Sequence, residues 1–170
     1  VAFGRLDGRG NLEGSSVHVA PPGWPSPVAA HSARMGWSGA DFGVAWQRSE
    51  PDHVTSDLWF SRIDAASRRV VLERPIASNL RYGSTAPVGW TGTAYAVAWV
   101  ETRADGQGRA MLAVLGPSGQ APVEPRPIVG NDALDVVSLT PLDRGIIVLV
   151  RARVPDGEVL IARELVCGSS

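Results

Sequence analysis

Gly36-Trp37-Ser38-Gly39-Ala40-Asp41-Phe42-Gly43-Val44-Ala45-Trp46 returns as Gly89-Trp90-Thr91-Gly92-Thr93-Ala94-Tyr95-Ala96-Val97-Ala98-Trp99. The offset from Trp37 to Trp90 is 53 residues, and each copy spaces its tryptophans by nine. A fixed internal period marks repeat architecture, in which neighbouring units bury faces that one unit cannot bury alone.

Working outward, each copy reads as four short strands. In the first, 33–37 and 42–47 flank a Ser-Gly-Ala-Asp turn, and strands follow at 58–63 and near 71–77. The second gives 86–90, 95–100, 110–115 and 125–129. Val, Trp, Phe and Tyr fill the runs, while Gly and Asp fill the connections, as hairpins require. The ends fit the template in part. Residues 1–7 align with 58–64, and 16–20 with 74–78, giving two closing strands. Strands at 136–142, 145–150 and 159–165 give three opening ones.

Two details point to β-propeller blades. Phe42, Val44 and Trp46 share one face of their strand, with Gly43 and Ala45 on the other; Tyr95, Val97 and Trp99 stand likewise against Ala96 and Ala98. A sheet stacked between sheets wants one bulky and one bare face. Pro75 and Pro127 recur in the fourth strand, and proline belongs on sheet edges because it cannot donate to a ladder. The outer strand of a blade is such an edge. The expected fold is therefore all-β: a propeller segment of four-stranded antiparallel blades, two full and one partial at each end. Its parts are a partial blade at 1–20, a proline-rich linker at 21–32, blades at 33–79 and 85–130, and a partial blade at 135–166.

The pattern G-W-[ST]-G-x-x-[FY]-x-V-A-W, followed by a strand like Leu58–Ile63, resembles repeats of large, mostly uncharacterised bacterial propeller-like proteins of the myxobacterial type. The resemblance is good over 33–130. It implies a fold and a secreted or cell-envelope location, and brings no catalytic residues.

Composition bounds the rest. Net charge is −1 over 170 residues, with 44% hydrophobic residues. That gives no electrostatic case for nucleic acid, and no apolar run reaches the ~20 residues that span a bilayer. Lysine is absent; all basic residues are arginine, which reads as a GC-rich coding genome. Cys167 is alone, so no internal disulfide forms. The chain opens inside a strand at Val1 without an initiator methionine, and reads as a piece of something longer.

His18, His31 and His53 lack metal-ligand spacing. The turns Asp7–Asn11, Asp105–Gly108 and Asp156-Gly157 carry too few acidic residues for a calcium loop and read as tight hairpins. Residues 41–46 partly resemble the sialidase Asp-box. Position 39 is Gly where the box has Ser or Thr, so no role is transferred. No cofactor or metal is expected.

Trp24, in Pro21-Pro22-Gly23-Trp24-Pro25-Ser26-Pro27, stands outside the repeat. With Pro22 and Pro25 it is the candidate interaction site, an apolar ring on an extended polyproline-like segment. The leading functional expectation is a non-enzymatic binding or assembly module, a propeller segment completed by another chain or another copy. The ends would bring five strands to a four-place sheet, so simple closure is not expected. The alternatives are a propeller-type glycoside hydrolase and a carbohydrate-binding lectin. The hydrolase would draw on Asp52, Asp57, Glu101, Asp105, Asp132, Asp135 or Asp143, read as loop carboxylates. The lectin needs equivalent exposed aromatics at Trp37 and Trp90.

Overall fold

A computed structural model of the chain describes residues 2–18, 30–49, 55–81, 84–103, 105–118, 120, 124–130, 132–143 and 145–166. Its described secondary structure is all strand. The strands are β1 (Ala2–Phe3), β2 (Val17–His18), β3 (Ala30–Trp37), β4 (Asp41–Ser49), β5 (Thr55–Asp64), β6 (Arg69–Arg81), β7 (Val88–Trp90), β8 (Tyr95–Thr102), β9 (Gly108–Leu115), β10 (Arg126–Val129), β11 (Ala133–Leu142), β12 (Gly145–Val154) and β13 (Gly157–Val166). They pair in chain order as antiparallel sheets of two, four, four and three strands, the division expected from the repeat. β1 ends at Phe3, earlier than the sequence alignment implied, although a bridge between Leu6 and Leu12 extends the hairpin. At the other boundary, β3 reaches back to Ala30, into the expected 21–32 linker, through a register shift between His31 and Arg34.

The repeated Trp-[Ser/Thr]-Gly is a turn. The Ser38 N–H donates to the Asp41 carbonyl at 3.0 Å, and the Asp41 N–H returns a bond to Ser38 Oγ at 2.9 Å. Thr91 and Ala94 repeat both bonds, at 2.9 and 3.2 Å. Gly39 and Gly92 sit at φ of 97° and 94°, where a Cβ is penalised. Pro75 and Pro127 lie in β6 and β10, the edge strands of their sheets, where the missing donor costs no ladder bond.

The larger sheets pack face to face as three successive layers: β3–β6, β7–β10 and β11–β13. Tyr95, Val97 and Trp99 of the second layer bury against Ala45, Leu58, Phe60 and Leu80 of the first. On the opposite face of β8, Ala96, Ala98 and Val100 bury against Val136, Leu139, Ile146, Val148 and Val150 of the third. Each interface seats bulky side chains on a bare face. The fit is close: a Cβ on Gly43 would come within 2.6 Å of the Tyr95 ring and 2.9 Å of Phe60. At the matching position of the second layer, Ala96 shares its cluster with Ile146, and the smaller aliphatic chain leaves room for a methyl group. Gly in one copy and Ala in the next thus follow from what the next layer inserts. The bulky face of the first layer, with Val44, Trp46 and Ile63, forms a third cluster with Ala30, Ala33, Phe42, Trp59 and Val70.

Candidate functional site

The motif that decides the fold is consumed by it. Its glycines make turns or room, its Ser and Thr cap turns, and Trp46 and Trp99 are buried. Function has to be sought where the layers leave surface open, and three such places stand out among the described residues.

The first is a polar pocket of about 380 Å³ at the end of the stack that carries the β8–β9 turn. Thr102 comes from the end of β8, Asp105 and Gln107 from that turn, Asp132 from the β10–β11 connection, Arg153 from β12, and Ser84 from the β6–β7 connection. Its walls are tied together. Gly108 runs against the Ala133 carbonyl, with no space for a Cβ between them. The Arg153 N–H donates to the Asp132 carbonyl at 2.8 Å, and Asp132 holds a left-handed φ of 76°. Asp105 Oδ1 accepts the Gln107 N–H at 3.0 Å. Behind the pocket, Gln47 Nε2 donates to Ser84 Oγ at 2.6 Å, and Thr85 Oγ1 lies 2.9 Å from both Asp135 Oδ1 and the Val136 carbonyl. All three layers therefore meet at this corner.

The second is a cleft of about 340 Å³ at the opposite end, between the β1–β2 hairpin and the first layer. Met35, Trp37 and Phe42 form its apolar wall, Gly4, Arg5 and Ser15 the hairpin side. Arg68 bridges the two by donating to the Glu13 carbonyl at 3.0 Å. Trp37 remains 47% exposed.

The third is the far face of the third layer. Registered pairing places Leu149 opposite Ala162 and Ser138, with Val137 in the bulge beside them; Arg151 faces Leu160, and Ile147 faces Glu164. Leu160 is 62% exposed and Val137 49%. The corresponding faces of the first and second layers, at Gly43/Ala45 and Ala96/Ala98, are covered by their neighbours. Among the described residues β13 pairs with β12 alone, whereas β5 and β9 each have a fourth-strand neighbour.

Known proteins add nothing to this geometry. The chain matches no family model, no curated protein and no solved structure.

Of the residues singled out in the sequence, Trp24, Pro22 and Pro25 lie outside the described residues, as do His53, Asp52 and Cys167. Three of the loop carboxylates are strand residues instead: Asp57 in β5, Glu101 in β8 and Asp135 in β11. Glu101 pairs with Arg109 at 3.1 Å, and Asp135 is engaged by Thr85. The strands run longer than their apolar cores because paired polar residues extend the ladder, so these carboxylates are drawn out of the loops. Asp105 and Asp132 do line one pocket. Asp7 is spent on its own turn, accepting from the N–H groups of Arg9 and Asn11 at 2.8 and 2.9 Å and from the Asn11 amide at 3.1 Å. Those bonds, led by the Asn11 N–H, hold its carboxyl below the usual range. Among the described residues no three His, Cys, Asp or Glu side chains gather as a metal would need. No helix there is long and apolar enough to cross a membrane. Trp37 and Trp90 are not equal platforms: Trp90 meets Tyr95 edge-on at 4.7 Å and packs on the core between the first two layers.

Proposed function

We propose that this chain is a non-enzymatic binding and assembly module, a β-propeller segment whose next layer comes from another copy or another chain. One observation carries the reading. The far face of the third layer bears Val137, Leu142, Ile147, Leu149 and Leu160, and no described residue packs over it as neighbouring layers cover the equivalent faces of the other sheets. An apolar patch with charged residues beside it, here Arg151, Glu158 and Glu164 on the paired strands β12 and β13, is the usual form of a protein interaction surface. The open edge of β13 adds a place where an incoming strand extends the sheet through main-chain hydrogen bonds. Propeller closure and the secreted or envelope location implied by the repeat resemblance belong to the same proposal.

Native mass spectrometry and sedimentation at micromolar concentration test it. Self-association or stable capture of a partner is expected, and Leu160→Arg should abolish either while leaving the far-UV spectrum unchanged. A folded, compact monomer that takes up no partner defeats the assembly reading.

A further inference from the structure

We infer that the corner pocket at the β8–β9 turn is a carbohydrate-binding site that recognises a neutral polyhydroxylated ring. The inference goes beyond assembly and does not depend on it, because every wall of the pocket belongs to one copy of the chain.

The lining chemistry selects the ligand class. Asp105 and Asp132 offer carboxylate acceptors, Arg153 offers a fork of donors, and Gln107, Thr102 and Ser84 both give and accept. An anion would meet two carboxylates. A cationic ligand would meet the Arg153 guanidinium, and a hard metal ion would find two carboxylates where it wants six or more oxygens. An apolar ligand would strip water from charged groups without replacing their hydrogen bonds. Hydroxyl groups donate to carboxylates and accept from guanidinium and amide, so adjacent hydroxyls on one ring satisfy both kinds of wall. The volume, about 380 Å³, lies within the range of small-ligand sites.

The pocket is also held in shape before any ligand arrives. The left-handed Asp132, fixed through its carbonyl by the Arg153 N–H, is a strained residue of the kind that persists where the surroundings over-determine it. Gly108 lets the turn wall touch the Ala133 backbone directly. Behind Ser84, the fully buried Gln47 donates through Nε2 to the Ser84 hydroxyl. That bond ties the pocket wall at Ser84 to the buried first layer.

Saturation-transfer NMR with D-glucose, D-galactose, D-mannose, L-rhamnose and N-acetyl-D-glucosamine, followed by calorimetric titration of any binder, tests the site. At least one of these sugars should bind saturably, with a dissociation constant on the order of 1 mM. Asp132→Asn and Arg153→Met should each weaken it by about tenfold or more, since each removes a charged hydrogen-bond partner. Asn tolerates the left-handed backbone of position 132, so that variant should fold; Gln107→Ala, in the exposed turn, gives a third check. Trp37→Ala, at the opposite end of the stack, should bind like the parent. Failure of all five sugars to bind overturns the inference. So does binding that survives Asp132→Asn and Arg153→Met, or that is lost with Trp37.

Discussion

Trp46 and Trp99 occupy the same place in successive layers, yet their indoles are treated differently. Trp46 Nε1 donates to Ser61 Oγ at 2.9 Å. Among the described residues Trp99 Nε1, also buried, has no hydrogen-bond partner. The register explains the difference: Val44 pairs with Ser61, and its counterpart Val97 pairs with Ala113. One substitution on the neighbouring strand separates a satisfied indole from an orphaned one. A second contrast lies at the turn. Phe42 and Tyr95 are equivalent, each in ring contact with the tryptophan opposite it, but Tyr95 is fully buried by the first layer while Phe42 borders an open cleft. The lesson is that the motif fixes each layer's shape, and the neighbouring layer fixes what a motif residue is worth.

The largest effect should separate the second pair. Tyr95→Ala empties the space beside Gly43 and Phe60 and removes the bond from its hydroxyl to the Asp41 carbonyl at 3.0 Å. Its expected cost is about 3–5 kcal/mol, the range for deleting a large buried aromatic. Phe42→Ala should cost roughly 1–2 kcal/mol, since its ring is only partly buried and less apolar area is lost. Urea denaturation of both variants checks the order, and equal losses would break the comparison.

A smaller effect sharpens the first pair. Ser61→Ala orphans the Trp46 indole in the core and should cost about 1–3 kcal/mol, whereas Ala113→Ser offers Trp99 an acceptor and should recover up to about 1 kcal/mol. Thermal melts of the two variants should move in opposite directions.

The smallest concerns Glu73, which lies 3.3 Å from Ser61 Oγ and so extends the Trp46 chain of contacts. Partial burial raises its pKa above the usual carboxylate value, and the Ser61 hydroxyl offsets this only in part. The folded state therefore holds this proton more tightly than the unfolded chain does. The associated stability is present below the unfolded pKa of about 4.3 and is lost as pH rises through the raised folded value. Glu73→Gln should remove this fall from a Tm-against-pH series and be slightly more stable at neutral pH. An unchanged profile would show that the carboxyl does not contribute.

Much of the layered fold was legible because it rests on local rules. The alternation at 42–46 and 95–99, the turn chemistry of Ser38-Gly39 and Thr91-Gly92, and the edge prolines are properties of short stretches. Strand lengths were less so: β4, β8 and β12 extend past their apolar runs through Ser49, Thr102 and Val154. The corner pocket was out of reach. Asp105 and Asp132 belong to different connections and line one cavity beside the close approach of Gly108 to the Ala133 backbone, a contact that no periodicity encodes. The exposure of Leu160 was hidden for a related reason, since it depends on what packs over the strand rather than on the strand itself.

The bulky-onto-bare seating has a consequence for symmetry. The first two layers each present a bulky and a bare side, so a copy added through this kind of contact would join head to tail and leave the same unmatched side free at the growing end. A two-fold pair cannot use that contact. Such addition stops only when the rotation per step brings the last layer round to the first, and otherwise continues as a fibre. The angle between successive layers thus decides between a closed ring and an open polymer.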